Sequence, residues 1–407
     1  MNLDEKLRDI VAYAYEHAPA VRARFEAAEL TPADIQTTAD LVRLPILSKD
    51  ELIALQQANP PFGGMLGVPA REVTRIYMSP GPIYEPAPEP TDTAWDMAVA
   101  VLRGGGFTAD DIVLNTLSYH LVPAGLLLDE ALLRVGATVV PSGYGNTDLQ
   151  VKLLRDLGVT GYVGTPSFLA HLLQRAEELG LNVRRDLKLN KVLVSAEPLP
   201  PSLRQKFADE YGLAVCNTYA TAELGLLAYN TTPGLTMDLL PEPIIELVDP
   251  DTGELVGTGE VGEIVVTGFS KVYPLIRLGT GDLAINVDPL PGESVQEERQ
   301  IIIVGRRGDA LKVRGMFVHP TQLRFAVTQA AMMAGVYPPP AVQGVVTRPD
   351  PQRDFLTVRV ATAENPALDD ALRGAIQQAC RVRVDAIVFV DVIDEGERMM
   401  VDGRAWD

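Results

Sequence analysis

Apolar residues recur at helical spacing near the start of the chain. Leu3, Leu7, Ile10, Val11 and Ala14 fall at i, i+3, i+4 intervals and predict a helix with one buried face. Thr31 followed by Pro32 predicts the N-cap and first residue of a short helix, and Ser48 with Glu51 three residues on predicts a capping box. From about Val113 short apolar runs alternate with amphipathic stretches, as βαβ units around a buried sheet require. Strands are expected at 112–114, 137–140, 160–163, 192–194 and 214–216, and helices from Pro123, over 166–179 and over 200–211. Beyond Pro241 turns dominate: DPDTGE (249–254) predicts a hairpin, with strands at 244–248 and 262–267. After Gly305 the order becomes strand 310–313, helix 320–334, strands 343–347 and 357–361, helix 367–380 and strand 386–390, a unit of about a hundred residues that can enclose its own core.

The expected fold class is therefore α/β. A large N-terminal domain over 1–305 comprises a helical start, a βαβ core and a β-rich subdomain from about 241. A small C-terminal α+β domain covers 306–407, with a hinge near Gly305 to Asp309. A ligand on such a sheet lies beyond the carboxyl ends of the strands, which makes the loops there the places to look for chemistry.

Composition narrows the function. Of 407 residues, 35 are basic and 54 acidic, a formal charge of −19, which argues against nucleic acid or an anionic membrane as a partner held by bulk electrostatics. Only Cys216 and Cys380 are present, too few for a disulfide framework, so a reducing compartment is expected. The most apolar stretch, 121–140, carries Asp129, Glu130 and Arg134, whereas a spanning helix needs about 20 nearly uncharged residues. MNLDEKLRDIV opens acidic and amphipathic, unlike a secretory leader, and the expected location is the cytoplasm.

Three motifs are unremarkable singly. YATAE (219–223) follows a strand and ends in a carboxylate. RLGTGD (277–282) reads as a turn in which Gly279 and Gly281 supply positive φ and Asp282 a cap. GRRGDALKVRG, with Arg306, Arg307, Asp309, Lys312 and Arg314, reads as a solvated basic hinge.

Their order carries more. A helical start, RIYMSPGPIYEP, SYHLVPAGLLLDEALLRVGATVVPSG, TPSFL, SAEPLP, YATAELG, RLGTGD and GRRGDALKVRGMFVHPTQL follow one another along nearly the whole chain. In this the sequence resembles the phenylacetate-CoA ligase branch of the adenylate-forming (acyl-CoA synthetase, ANL) superfamily. The resemblance implies activation of a small carboxylic acid by ATP to an acyl-adenylate, followed by transfer to coenzyme A after rotation of the small C-terminal lid domain. It implies that Ser195, Ala196, Glu197 and Pro198 border the adenine, that Tyr219, Ala220 and Thr221 line the nucleotide, and that Glu223 is catalytic and holds Mg²⁺, for which a carboxylate is a suitable ligand. Asp282 would accept the ribose hydroxyls with Arg306 beside it, Asp309 would be the hinge, and Tyr119, His120 and Val122 would line the acyl pocket. Relatives are often dimers, so a homodimer is implied as well.

The pattern breaks in two places that concern phosphate. The family's loop reads approximately SSGTTGKP, and here the aligned residues are Ser79, Pro80, Gly81, Pro82, Ile83, Tyr84, Glu85 and Pro86. The hydroxyls at Pro82 and Ile83 are gone, Pro80 and Pro82 offer no N–H, Tyr84 replaces a glycine and Glu85 a lysine. At about 4 Å and an effective dielectric near 20 a unit charge is worth roughly 4 kcal/mol, so this reversal weakens the grip on pyrophosphate. Near the C-terminus, where the family carries a lysine in a GK element, Gly396 precedes Glu397; only Arg398 and Arg404 could supply a cation, and Arg398 is the catalytic candidate. A third departure is that 226–240 contains neither Cys nor His, so no zinc is expected.

Three readings remain at this point. The first is an AMP-forming carboxylate-CoA ligase that uses ATP/AMP, Mg²⁺ and coenzyme A on an aromatic or short acyl acid. The second is a non-catalytic nucleotide or acyl-CoA-binding homologue that has lost adenylation. The third is an acyl transferase that accepts a ready-made adenylate or thioester. His120 is read as shaping the pocket wall, since the substrate carboxylate is already the nucleophile.

Overall fold

The computed structural model describes residues 2–79, 82–250, 252–290, 294–306, 311–314, 316–318, 320–350, 353–380, 382–394 and 397–404. The chain divides into two compact units, Met1–Arg307 and Gly308–Asp407.

In the first unit the N-terminal helices form where the periodicity places them. Helix α1 (Leu3–His17) starts on a capping box between Asn2 and Glu5 and buries Leu7, Ile10, Val11 and Ala14. Helix α2 (Pro19–Ala27) follows, and the helix expected after Thr31 is a single 3-10 turn, Pro32–Asp34, which has too few residues for an i→i−4 ladder. Helix α3 (Lys49–Ala58) starts on the Ser48/Glu51 capping box. A hairpin of β1 (Ile76–Ser79) and β2 (Ile83–Pro86) comes next, pairing Ser79 with Ile83 and Tyr77 with Glu85. Leu7, Phe25, Leu41, Leu52 and Phe62 share one core with Ile83 of the hairpin and with Tyr273, Ile276 and Leu278.

Helix α4 (Ala94–Gly104) leads into the main sheet. Strands β3 (Ile112–Asn115), β4 (Thr138–Pro141), β5 (Gly161–Gly164), β6 (Lys191–Val194) and β7 (Ala214–Thr221) are parallel, as the βαβ pattern predicts. They are linked through helices α5 (Ala124–Val135), α6 (Thr147–Asp156), α7 (Pro166–Glu178), α8 (Val183–Asp186) and α9 (Pro201–Asp209). The sheet does not stop there. Strands β8 (Gly225–Asn230), β9 (Thr236–Leu239), β10 (Ile244–Val248), β11 (Val261–Thr267), β12 (Leu278–Val287) and β13 (Gln300–Arg306) extend it antiparallel to eleven strands, in the order β10-β11-β12-β13-β9-β8-β7-β6-β5-β3-β4. The β-rich stretch after Pro241 is thus continuous with the parallel core. Strand β7 runs five residues past the expected end and turns directly into β8, so Tyr219, Ala220 and Thr221 are strand residues and Glu223 sits in the turn.

RLGTGD departs from the expected turn. Its residues from Leu278 lie in β12; of its two glycines only Gly281 has positive φ (75°), while a Cβ on Gly279 would meet Glu263 Oε1 at 2.7 Å, so that glycine serves close packing.

The second unit contains a two-stranded hairpin, β14 (Leu311–Val313) with β15 (Met316–Val318), and helix α10 (Pro320–Met333). Strands β16 (Val342–Asp350) and β17 (Arg353–Ala361), helix α11 (Pro366–Cys380), and strands β18 (Ala386–Val390) and β19 (Met400–Asp402) complete it, the sheet order being β18-β17-β16-β19. Its core is its own: Leu323, Val327, Val346, Val358, Leu372 and Ile376 pack together.

Candidate active site

Strand β6 hands the chain to SAEP at the carboxyl edge of the sheet. The Ser195 N–H donates to Gly164 O at the end of β5 (3.0 Å), and its hydroxyl donates to Thr218 O on β7 (3.2 Å). Ala196 has φ 71°, a left-handed conformation that costs a residue with a Cβ on the order of 1–2 kcal/mol. Glu197 accepts the Ser167 N–H at the start of α7 (3.4 Å). Pro198 then leads toward α9.

Asp282 is fixed from two sides. The Tyr219 hydroxyl donates to Oδ2 (2.8 Å) and Arg306 Nε, opposite it in the β12–β13 ladder, donates to Oδ1 (2.6 Å). Burial, and after it the Asp282 charge, pushes the Tyr219 phenol well up, so it stays a donor. A carboxylate has about four lone-pair sites, which leaves Asp282 able to accept further hydroxyls.

Between the hairpin and the β7–β8 turn lies a buried cluster that the sequence did not reveal. Glu223, with a side chain 2% exposed, is paired with Lys49 of α3 at 2.6 Å from Nζ to Oε1. Glu85 on β2 is 3% exposed, and neither of its oxygens makes a hydrogen bond of ordinary geometry among the described residues. Burial pushes the Glu85 carboxyl up to about 8, the Glu223 charge acting the same way and the Ser79 hydroxyl and Lys49 ammonium opposing. Burial would raise Glu223 as well, but the Lys49 charge and hydrogen bond outweigh it and hold that carboxylate low. The hairpin offers little to phosphate at Tyr84, whose N–H and C=O are both taken by the Gln56 side chain. The same Gln56 amide donates to the Tyr273 hydroxyl.

Tyr119 is locked in place. Its hydroxyl donates to Asp129 Oδ1 on α5 and accepts from Asn115 Nδ2 on β3, both at 2.8 Å. His120 is exposed and Val122 half-buried; between them Leu121 adopts φ 64°, and its carbonyl accepts the Met78 N–H from β1, joining the 118–123 loop to the hairpin.

In the C-terminal unit Arg398 is exposed and its carbonyl accepts from Gln343. Arg404 bonds Asp402 and Asp354 with a side chain 5% exposed, so it is an internal tie of that unit. Gly81 and Asp309 lie outside the described residues. Lys49, Gln56, Tyr273, Asn115 and Asp129 were not anticipated. One signal existed for Lys49, a cation at the first position of a helix, where the macrodipole disfavours positive charge.

Residues 92–272 match the AMP-binding enzyme family. A phenylacetate-coenzyme A ligase of Pseudomonas putida is 31% identical over 349 residues, 82% of this chain and 76% of the relative. The chain belongs to the phenylacetate-coenzyme A ligase family. The counterpart in Aromatoleum evansii is 29% identical over 96% of this chain and 89% of the relative. Among solved structures, a 2-hydroxyisobutyryl-CoA ligase in complex with 2-HIB-AMP and CoA superposes with a TM-score of 0.86 at 24% identity, covering 99% of this chain and 89% of that one, and shares the fold. Family membership makes the chain an acid–thiol ligase that uses ATP/AMP and coenzyme A, and the non-catalytic reading is not favoured.

Proposed function

We propose that this ligase activates a small aromatic or short acyl acid as its acyl-adenylate and then forms the coenzyme A thioester. A carboxylate oxygen attacks the α-phosphorus of ATP and pyrophosphate leaves. The thiol sulfur of coenzyme A then attacks the acyl carbon, AMP leaves and the thiol proton passes to solvent. The observation that carries this reading is Asp282, oriented by Tyr219 and Arg306 so that its free lone pairs can take the ribose hydroxyls.

In this reading Ser195, Ala196, Glu197 and Pro198 border the adenine, and Tyr219, Ala220 and Thr221 line the nucleotide. Tyr119, His120 and Val122 form one wall of the acyl pocket, Arg398 is the candidate catalytic cation, and Asp309 is the hinge. Glu223 is the residue that would hold Mg²⁺: Lys49 pairs with its Oε1, while Oε2 is buried with no hydrogen-bond partner among the described residues. Such an ion would supply positive charge beside the phosphates. No helix of the described residues is long and apolar enough to cross a membrane, which agrees with a cytoplasmic location; a homodimer is proposed on the family pattern.

The test is formation of AMP and acyl-CoA, separated by chromatography, from ATP, coenzyme A and a panel including phenylacetate and 2-hydroxyisobutyrate. Turnover with at least one acid, lost in Asp282→Ala, is expected. No thioester from any acid in a folded protein would sink the reading.

A further inference from the structure

Strand alternation turns one face of the β1–β2 hairpin inward. Ser79 pairs with Ile83 and Tyr77 with Glu85, and all four are buried, whereas Tyr84 between Ile83 and Glu85 is exposed. A carboxylate therefore stands beside Tyr77 and Ile83 on a face where the pattern calls for apolar residues, and a break of that kind marks a functional or strained position. Ser79 and Glu85 are diagonal neighbours across the hairpin, near enough for their side chains to converge. Gln56 of α3 braces the hairpin at Tyr84, and Lys49 at the start of the same helix reaches Glu223, so α3 ties the hairpin to the β7–β8 turn.

The polar atoms gathered there outnumber the partners that the protein gives them. Ser79 Oγ, both oxygens of Glu85 and Glu223 Oε2 are buried and make no hydrogen bond of ordinary geometry among the described residues. They belong to one group, because the Ser79 hydroxyl and the Glu223 and Lys49 charges all act on the Glu85 carboxyl. Buried charges are as a rule paired or coordinated to a metal, and Lys49 is committed to Glu223 Oε1. With both carboxylates ionised, that single ammonium leaves the cluster short of positive charge. The unpartnered atoms are all oxygens, the donor type that a hard divalent cation such as Mg²⁺ takes.

We propose that Glu85 is a second carboxylate ligand, beside Glu223, for a hard divalent cation, with the Ser79 hydroxyl as a neutral donor. The inference rests on the reading of Glu223 as the Mg²⁺ holder and extends it to the hairpin, at the position where the family pattern has a lysine. The positive charge that the loop lacks without that lysine is then restored by the ion. The protein side supplies two carboxylates and a hydroxyl, and the remaining ligands are water or phosphate oxygens, in keeping with the reluctance of Mg²⁺ to lose its waters. Burial keeps a proton on Glu85 in the metal-free protein, and that proton passes to solvent as the ion enters. With two carboxylates in place the chain binds the ion before any nucleotide arrives.

Mn²⁺ stands in for Mg²⁺ as the probe, and loss of its free-ion resonance signal reports uptake by the nucleotide-free, full-length protein. Wild type is expected to take up about one Mn²⁺ per chain that excess Mg²⁺ displaces. Glu85→Gln and Glu223→Gln, each close in shape to the native residue, are expected to weaken that uptake by about tenfold or more. Undiminished uptake in Glu85→Gln would overturn the second ligand, and a loss confined to Glu223→Gln would leave Glu223 as the holder of the ion. Wild type that leaves the signal of millimolar Mn²⁺ unchanged, with its own thermal midpoint unmoved, would overturn the inference outright. That arm uses wild type alone, so it stands even where a variant does not fold. Neither arm contains a substrate, so failure to find the acid that the ligase activates leaves both results intact.

Discussion

Gln56 satisfies both backbone polar groups of Tyr84 with one side-chain amide: Oε1 accepts the Tyr84 N–H and Nε2 donates to the Tyr84 carbonyl, each at 2.8 Å. The amide imitates a neighbouring strand on the free edge of a two-stranded hairpin, and such a hairpin is marginal in water without support. Gln56 is itself buried, so the cost of desolvating it is recovered only through these bonds and the one to Tyr273.

Replacing Gln56 by Leu keeps the volume and strips the bonds. The peptide groups of Tyr84 are then left unpaired at a part-buried position, which should cost about 1–3 kcal/mol. Urea unfolding should show a lower midpoint. An unchanged midpoint would mean that the hairpin does not depend on α3.

Arg277 has a comparable but larger role. Its buried guanidinium reaches both oxygens of Glu246 and the carbonyls of Leu44 and Gly253, joining the N-terminal segment to β10 and the 249–254 turn. Arg277→Met should destabilise by about 3–5 kcal/mol, because Glu246 remains as an uncompensated buried charge. Adding Glu246→Leu should restore much of that loss in denaturant titrations. If the double variant is no more stable than the single, the carbonyl contacts carry the effect.

These two residues show where sequence reading succeeds and where it stops. Leu7, Val11 and Ala14 announced α1 through spacing alone, and the apolar runs at 112–114 and 192–194 announced β3 and β6, because burial of a periodic face is a local property. Arg277 looked like the first residue of a surface turn; its burial depends on Glu246, 31 positions away, and no local pattern encodes that. YATAE was expected to follow a strand ending at 216, yet pairing with β8 extends that strand through Thr221. Asp282 was legible as an acceptor from its motif, whereas Lys49 was hidden within what looked like ordinary helix-capping sequence. Contacts between distant segments, here α3 with the β7–β8 turn, are decided by the fold and leave only faint traces such as a lysine at a helix start.

The pH dependence of stability should carry the mark of Glu85. Its carboxyl is raised from the ordinary 4.5 to about 8, chiefly by burial. Between those values the unfolded chain has released the proton and the native chain retains it, so the native state binds more protons and its stability falls as pH rises. The contribution is complete below the unfolded value and is lost on passing through the folded one. Glu85→Gln, neutral at every pH, should therefore flatten the decline in thermal midpoint between about pH 5 and 8 relative to wild type. Parallel curves for the two proteins would show that Glu85 ionises normally.

The hydroxyl of Tyr119 is committed to Asp129 and Asn115, so in the proposed acyl pocket the ring, and not the hydroxyl, faces the acid. Burial, followed by the hydrogen bond to Asp129, pushes the phenol up, which keeps the proton on oxygen throughout the working pH range. Removing that oxygen frees the ring to rotate and leaves the Asp129 carboxylate one donor short. A hydrogen bond to a charged group is worth about 1.5–3 kcal/mol, and part of that should appear as looser acid binding. Tyr119→Phe is expected to raise KM for the preferred acid with kcat changed less, since the reacting carboxylate is not touched by the lost hydroxyl. Asp129→Ala should reproduce the effect through loss of the ring's anchor, while Asp129→Asn, which keeps an acceptor oxygen, should stay near wild type. Steady-state thioester formation across several acids checks all three. Equal losses in kcat for Tyr119→Phe with every acid would place the hydroxyl at the reacting centre and refute the anchoring role.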